Sequence, residues 1–454
     1  MNLSDEITMR KASRTTACVI FAVTLLIFTA SPMHQVGDSK YSMLVSYSLL
    51  KKGTFSLDGY GLPRPGQFQQ EGNVPHSQVY QLEVVNGHLH YYFPTGSSIL
   101  SIPFVAALDL VGVSPVNPDG SYNRVKEIII QVGIACFLMA TLASILYLTS
   151  RLLLPLWWSV VIALSGVLGT QVWSTASRGL WSHTWGILLL GCVVLMLVRQ
   201  EKGNRPLNPI LLATLLSWTY FVRPTNSVSI LAITLYILLF HRRLFIRYAA
   251  TGAAWFAAFI AYSWHYFGQF VPRYYRGYPL HFGSFWTAVA GNLISPSRGL
   301  FVFVPVLMFV TYLLARCWRK LPLPRLVVLA LAAAAGHLVL VSCFDPWWAG
   351  HSYGPRYFTD LVPWFVLLGI LGVRAMLDPH GEPGTESGSF GFRIELAVAG
   401  VLLLLSVLIH GHGAFSHATR MWNVVPVDVD EQPARVWDWR QPQFLAGLLP
   451  VRPP

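Results

Sequence analysis

Residues 17–41 read ACVIFAVTLLIFTASPMHQVGDSKY, and this stretch contains the feature that decides the fold. Residues 17–34 form an apolar run that, as an α-helix rising about 1.5 Å per residue, crosses most of the hydrocarbon core of a bilayer. The run ends in QVGDSKY, so a carboxylate, Asp38, stands where the helix leaves the membrane. Asp38 is either a solvated loop residue or a catalytic base, and the rest of the chain has to distinguish the two.

The composition is that of an integral membrane protein. Of 454 residues, 54% are apolar and 11% are charged, whereas soluble domains are about 25% charged. The net charge of +12 comes mostly from Lys and Arg in short loops between apolar runs, where they set the orientation of the spans. No basic block interleaved with aromatic residues lies outside those loops, so we expect no nucleic-acid partner. The five cysteines form no CxxC pair and indicate neither a disulfide framework nor a zinc site.

Eleven apolar runs are predicted to be transmembrane helices, because each is long enough to span most of the hydrocarbon core. The predicted transmembrane domain covers 17–411. The distribution of positive charges places the N-terminus, 1–16, in the cytoplasm and the tail, 412–454, on the outer side. A further run, 94–112, is predicted to be an interfacial or re-entrant helix, since a crossing there would invert every later loop. The eleven runs lie at about 17–34, 126–149, 154–173, 179–199, 207–222, 226–240, 245–266, 299–316, 324–343, 360–377 and 394–411.

The first outer loop, residues 35–125, is long and has structure of its own. Residues 39–52 carry apolar side chains at helical spacing, which predicts an amphipathic helix on the membrane surface. Asn86-Gly87 separates two β-prone runs and predicts a hairpin. The predicted fold class is therefore an all-α polytopic membrane protein of about eleven spans, with surface helices and a small β-hairpin in its first outer loop.

The unusual polar motifs fall at the outward ends of the predicted spans, where they can line one cavity. Ionisable groups at membrane depth are costly and are candidates for function. The motifs are GDSKY at 37–41, STASRGLWSHTW at 174–185, FVRPTN at 221–226, WHYFGQFVPRYYRGY at 264–278, SPSRGLF at 295–301 and FDPWWAGHSYGPRYFTD at 344–360.

The polar and aromatic residues of these motifs can also be explained as membrane anchors, without a functional site. A lone arginine at a span end is more often an interfacial anchor than part of a site. Arg298 and Arg356 are stronger candidates, because each begins a helix after a Gly/Pro/Ser turn and can bind phosphate together with free helix N–H groups. The many Trp and Tyr residues indicate an interfacial belt, with sugar stacking as the alternative. No His, Cys or carboxylate set has metal-ligand spacing, so we expect no metal.

Several motifs resemble those of the GT-C superfamily of membrane glycosyltransferases, which use polyprenyl-phosphate sugars. The acidic residue after the first span is Asp38, and YYFPTGSSILSIPF at 91–104 is similar to the stretch that closes the first outer loop in many bacterial members. SPSRGLFVFVP at 295–305 and GHSYGPRYFTDLVP at 350–363 resemble late motifs of a bacterial branch nearer to the arabinofuranosyltransferases than to the protein mannosyltransferases. One departure is Asp38-Ser39, where protein mannosyltransferases and aminoarabinose transferases have Asp-Glu.

The resemblance implies a GT-C-like bundle and an inverting transfer of a sugar from a polyprenyl-phosphate donor to an acceptor hydroxyl. The catalytic base would be Asp38, and the acceptor would be a glycan, a lipid or a protein. The expected location is a bacterial inner membrane, with the site facing the periplasm and with neither cofactor nor metal. The implied phosphate-binding residues are Arg298, Arg356, Arg178 and His183, and the implied acceptor- or sugar-binding residues are Lys40, Tyr41, Arg223, His351, Tyr353 and Asp360.

Two other functions fit an outward polar site. A polymerase or ligase of undecaprenyl-linked glycans usually carries its large loop late in the chain, whereas here the first loop is the large one. A lipid or solute transporter tends to show two related halves and ionisable residues in mid-span. Asp345 and Asp360 are alternative bases, although Asp345 can cap a turn before Pro346 and Asp360 can pair with Arg356 four residues earlier.

Overall fold

The computed structural model describes residues 3–65, 79–277, 280–377 and 390–450, which are mostly α-helical. Two short strands, β1 (Leu82–Val85) and β2 (His88–Tyr91), form an antiparallel hairpin. The helices are α1 (Leu3–Ala30), α2 (Ser42–Lys52), α3 (Gly96–Leu110), α4 (Arg124–Arg151), α5 (Leu156–Leu168), α6 (Ser182–Glu201), α7 (Pro209–Val222), α8 (Ser227–Phe240), α9 (Arg242–Phe267), α10 (Phe285–Ile294), α11 (Leu300–Phe303), α12 (Val306–Arg316), α13 (Pro324–Ser342), α14 (Val362–Met376), α15 (Phe390–Phe415) and α16 (His417–Met421).

Seven helices in the described residues are long and apolar enough to cross a membrane, by length and composition. These are Ala12–Ala30 of α1, the whole of α4, α6, α9, α13 and α15, and Arg356–Met376, in which a 3₁₀ turn runs into α14. Each of the eleven predicted runs contains at least one helix, so the mainly helical class is confirmed, and the seven apolar helices are compatible with a membrane protein. The remaining four runs contain shorter apolar helices, and the count of eleven crossings stays a prediction.

Helix α14 lies at the centre of the bundle, where two apolar clusters meet. One cluster joins it to α6, α7, α8 and α13, and the other joins it to α4, α5 and α6. Trp364 of α14 is fully buried, and its indole N–H donates to Ser229 Oγ of α8 at 3.0 Å. The burial of α14 contrasts with α9 and α15, which leave most of their side chains at the outer surface of the bundle. The end of α14 that carries Arg356 is therefore held from several sides.

The first outer loop follows its sequence prediction closely. The helix predicted at 39–52 is α2, whose first turn is buried on all sides and whose end at Lys51–Lys52 is exposed, and the run at 94–112 forms α3. At 15 residues, α3 spans about 22 Å, less than the roughly 30 Å of a bilayer core. The predicted hairpin is confirmed, with Asn86 (φ 52°) and Gly87 (φ 82°) both in the left-handed region that a two-residue type I′ turn requires.

Two segments are more ordered than the sequence indicated. The outer loop predicted between the spans that end at 266 and begin at 299 contains α10, whose ten residues are too few to register as a span. The tail contains α16 and 3₁₀ turns at Pro433–Trp437 and Gln443–Leu445, and its Trp422, Val429 and Val436 pack against Ala288 and Trp347. The extreme ends of the predicted N-terminus and tail, 1–2 and 451–454, and loop residues 66–78 and 378–389 lie outside the described residues.

Candidate functional site

A cavity of about 1060 Å³ opens where the ends of many helices meet. Its described wall comes from segments after α1, α7, α9, α13 and α15, segments before α6, α8 and α14, the starts of α2 and α3, and the hairpin. The chain directions alternate, so these segments belong to one end of the bundle. Five of the six polar motifs of the sequence contribute to this wall, and SPSRGLF is the exception.

The segment that carries Asp38 is clamped on every residue from Gln35 to Ser39. Such a loop needs partners for its peptide groups, because an unpaired buried N–H or C=O is costly. The five partners come from three separate parts of the chain, namely the hairpin, α4 and the segment before α6. Gln35 N donates to Arg178 O (2.7 Å), and the carbonyls of Val36, Gly37, Asp38 and Ser39 accept from Arg124 Nη2 (2.9 Å), Gln81 Nε2 (3.1 Å), Tyr91 Oη (2.6 Å) and Gln131 Nε2 (2.8 Å).

The Asp38 carboxylate has two charged or polar partners inside the cavity. Arg356 Nη1 lies 3.1 Å from Asp38 Oδ2, and the Tyr80 hydroxyl donates to Oδ1 at 3.3 Å. The Asp38 side chain is 30% exposed and that of Arg356 is 14% exposed, so both remain reachable from the cavity. Burial raises the pKa of Tyr80 well above its usual value, and the Asp38 charge acts in the same direction. Tyr80 is therefore a neutral hydrogen-bond donor at physiological pH.

Arg356 also belongs to an aromatic wall. Its guanidinium lies 4.5 Å from the ring centre of Trp181, within cation–π distance. Phe93, Tyr274 and Tyr357 line the same cavity. Planar rings beside a carboxylate and a guanidinium can bind a sugar through stacking and hydrogen bonds.

A second ionic cluster lies behind this wall and involves Asp360. His183 Nδ1 lies 2.7 Å from Asp360 Oδ1, while Arg223 Nε and Thr225 Oγ1 donate to Oδ2 at 2.6 and 2.9 Å. Asp360 and His183 are each 1% exposed, whereas Arg223 reaches the cavity and also donates to Ser182 Oγ at 3.0 Å. The cluster therefore positions Arg223 at the cavity wall.

The expected Arg356–Asp360 ion pair does not form. That expectation assumed an α-helix, in which residues four apart share a face. Residues Arg356–Leu361 instead form a 3₁₀ helix with about three residues per turn, which rotates the fourth residue by about 120°. Arg356 consequently turns toward Asp38, and Asp360 turns toward Arg223 and His183.

Arg298 requires a correction, because its guanidinium has no donor left for a phosphate. Its five N–H donors go to Trp348 O, Ser297 O, Gly350 O, Gln443 Oε1 and Asn423 Oδ1, at 2.6–3.1 Å. Burial lowers the pKa of Arg298 to about 9, while the nearby Asp430 charge acts in the opposite direction. Arg298 fastens the C-terminal tail to the loop before α14.

Arg178 likewise serves the backbone. It is fully buried and donates from Nη1 to Ser31 O at 2.6 Å and from Nη2 to Phe28 O. These carbonyls lie at the C-terminal end of α1, where a cation is favourable. Arg178 therefore holds the end of α1 in front of the Asp38 segment and does not line the cavity.

The other predicted site residues divide into two groups. Arg223, His351 and Tyr353 line the cavity with Asp38 and Arg356. His183, Lys40, Tyr41 and Asp360 lie outside its described lining. Tyr41 is 2% exposed and packs against Tyr122, and the Lys40 ammonium lies 4.7 Å from the Tyr41 ring centre.

Sequence reasoning missed several residues of the wall. Tyr80 stands just before the hairpin, and Tyr91 is the last residue of its second strand. Trp181 belongs to a motif in which only Arg178 and His183 were singled out. The tail, for which no site residue was predicted, contributes Arg420 and Asp430. A signal for Arg420 was present, since His417 and Arg420 stand three apart directly after the last span, and both line the cavity.

Comparisons with known proteins add no family assignment. No protein-family model, curated protein or solved structure matches the chain. The functional argument therefore rests on the residues of the cavity.

Proposed function

We propose that the protein is an integral membrane glycosyltransferase of the GT-C type, which moves a sugar from a polyprenyl-phosphate donor to an acceptor hydroxyl. The observation that carries the proposal is the position of Asp38. This carboxylate follows the first membrane helix, is held from both sides, and faces a large cavity beside Arg356. The enclosed volume suits a sugar and its acceptor group, since small-molecule sites measure about 300–1,000 Å³.

Asp38 is the general base in this proposal. It takes the proton from the acceptor hydroxyl while the acceptor oxygen forms a bond to the anomeric carbon of the sugar. The bond from that carbon to the phosphate oxygen breaks, and the phosphate leaves with the electron pair as polyprenyl phosphate. Base and leaving group lie on opposite faces of the sugar, so the configuration inverts.

The arginines of the wall then have different roles. Arg356 contacts Asp38 directly and orients the carboxylate before the acceptor binds. Arg223 and Arg420 are the other arginines that line the cavity among the described residues, and they stabilise the charge of the leaving phosphate. This assignment replaces Arg298 and Arg178, whose guanidinium groups are committed to the backbone and the tail.

The proposal includes the eleven-span topology. Helix α5 continues into a π-helical segment that ends at Ala176, and α11 and α12 follow one another from Leu300 to Arg316, so both units approach the thickness of a bilayer core. The cavity then faces the periplasm of a bacterial inner membrane, in keeping with the Lys and Arg of the opposite loops. Leu340 in the last turn of α13 and Phe344 just after that helix offer an apolar wall for the prenyl chain.

The test is sugar transfer by Asp38→Asn in membranes with matched expression and a radiolabelled polyprenyl-phosphate-sugar pool. We expect transfer to fall by about 100-fold or more, the scale of a general base, with donor binding retained. Asp119→Asn is the matched control, because Asp119 is an exposed turn residue outside the cavity lining. Near-normal transfer by Asp38→Asn would overturn the role of Asp38.

Two outcomes would favour the other functions. If wild-type protein uses a polyprenyl-diphosphate-linked glycan and ignores the monophosphate sugars, the protein is a polymerase or ligase. If labelled lipid crosses reconstituted vesicles without any change in its chemistry, the protein is a transporter.

A further inference from the structure

A histidine and two aspartates meet at the rim of the cavity. His351 Nε2 lies 2.7 Å from Asp428 Oδ1 and 3.6 Å from Asp430 Oδ2. One potential ligand atom from each of the three residues lies within 4.8 Å of the other two. His351 and Asp430 also line the cavity. The three side chains therefore converge on one point that is open to a ligand.

The fold builds this point from two distant segments. His351 belongs to the loop before α14, and Asp428 and Asp430 belong to the tail, 77 or more positions later. Consecutive left-handed residues, Ala349 (φ 62°) and Gly350 (φ 58°), bend the loop immediately before His351. Arg298 fixes the same loop by donating hydrogen bonds to the backbone carbonyls of Trp348 and Gly350.

The orientation of Asp430 matches that of a metal ligand with an outer-sphere partner. The indole N–H of Trp348 donates to Asp430 Oδ1 at 2.8 Å, which leaves Oδ2 on the side of His351. Outer hydrogen bonds of this kind commonly fix ligand carboxylates in metal sites. The backbone N–H of Asp430 also donates to Asp428 Oδ1 at 2.9 Å, which holds the two carboxylates next to each other. A cation between the two would relieve their repulsion.

A residue next to His351 carries a buried hydroxyl that is unpaired within the described part of the chain. Ser352, next to His351, lines the cavity and is 2% exposed. Its hydroxyl has no hydrogen-bond partner among the described residues. Buried polar groups are nearly always paired, so this hydroxyl is an exception in the loop that carries His351.

We propose that His351, Asp428 and Asp430 bind one divalent metal ion at the rim of the cavity. A ligand set of one imidazole nitrogen and two carboxylate oxygens suits Mn²⁺ or Zn²⁺ better than a ligand set made only of oxygen atoms does. Three protein ligands leave coordination positions open, as in sites where a metal binds an exchangeable ligand. Those positions adjoin the cavity, where an anionic oxygen such as that of a phosphate completes the coordination sphere. The site stands on its own contacts and does not depend on the proposed sugar transfer.

The test is metal binding by the full-length chain, purified with an affinity tag that contains no histidine. The protein is stripped with EDTA, equilibrated with Mn²⁺, and examined by elemental analysis and pulsed electron paramagnetic resonance. We expect about one Mn²⁺ per chain, with modulation from an imidazole ¹⁴N nucleus. His351→Ala should remove that modulation and weaken Mn²⁺ binding at least 10-fold, and Asp430→Asn should weaken it at least 10-fold while the modulation persists.

The control is Asp438→Asn, which removes an exposed tail carboxylate outside the cluster and should bind Mn²⁺ as wild type does. Trp348→Phe keeps all three ligands but removes the donor to Asp430, and it should weaken binding by about 10-fold with the nitrogen signal intact. Wild-type protein without stoichiometric Mn²⁺ or Zn²⁺, or without nitrogen coupling, would overturn the proposal whatever the variants do. Wild-type affinity in both His351→Ala and Asp430→Asn would overturn it as well.

Discussion

Arg356 Nη1 lies 3.1 Å from Asp38 Oδ2, although 318 positions separate the two residues in the chain. The contact joins the loop after the first membrane helix to the start of the most buried one. Both side chains keep part of their surface in the same cavity, so their charges are compensated without being sealed off. A carboxylate held in this way is placed for chemistry as well as for stability.

The pair provides a double-mutant prediction. Asp38→Asn and Arg356→Gln should each reduce transfer by about 100-fold or more, because one removes the proposed base and the other removes the group proposed to orient it. The transfer rate of the double variant should be only slightly lower than that of the less active single variant, because the effects of residues that act as a unit do not add. The measurement is the initial rate of transfer in membranes with equal amounts of each protein. Losses that multiply would show that the two residues act independently.

The buried carboxylate Asp360 should matter for stability more than any exposed acid. Asp360→Asn leaves Arg223 and His183 without their charged partner in a site that is 1% exposed, and the loss should be about 3–5 kcal/mol. The control is Asp109→Asn, which breaks the partly exposed Lys51–Asp109 pair and should leave the melting temperature close to that of the wild type. Thermal unfolding in detergent compares the two. Equal melting temperatures would contradict the structural role of Asp360.

Arg298→Lys should loosen the tail. A lysine has three donors on one nitrogen and cannot reproduce the four hydrogen bonds that reach the loop before α14, Asn423 and Gln443. Limited proteolysis should therefore cut the tail after α15 at least 10 times faster than in wild type. Arg440→Lys is the matched control, because Arg440 is exposed. A tail that stays resistant in Arg298→Lys would show that other contacts suffice to hold it.

Gly179 tests the placement of the Asp38 segment. A Cβ at this position would lie 2.1 Å from the backbone oxygen of Gln35, which cannot move aside as a flexible side chain would. Gly179→Ala should shift the segment and lower transfer by 10-fold or more, since small misplacements at a reacting centre are costly. The control, Gly133→Ala in α4, adds a methyl group with nothing within 4 Å and should act as wild type. Full activity in Gly179→Ala would mean that the segment tolerates displacement.

Local features of the fold were predictable because their causes are local. The apolar runs have the composition and length of membrane helices, and Asn86-Gly87 has the backbone preference of a two-residue turn. Helix α2 follows from apolar spacing alone. The gathering of polar motifs at one end of the bundle follows from the alternating direction of successive spans, and most of these motifs do line the cavity.

The partners of individual side chains were not predictable in this way. Arg298 and Arg356 follow similar turns, yet the first is surrounded by the tail and the second faces Asp38. The tail decides this difference, and no pattern near Arg298 announces that residues 125 and 145 positions later will accept its hydrogen bonds. The 3₁₀ turn at Arg356 depends in the same way on its packed surroundings.

By itself the sequence determined a helical membrane protein with an acidic residue after its first helix and a structured first loop, because hydropathy, spacing and turn preference act between near neighbours. Only the tertiary structure decided which arginine meets Asp38, which ones are spent on the backbone, and which tail residues meet His351 at the rim of the cavity. These pairings join segments that lie tens to hundreds of residues apart, and they depend on how whole helices pack. Packing at that range is set by the sum of many contacts and not by any one motif.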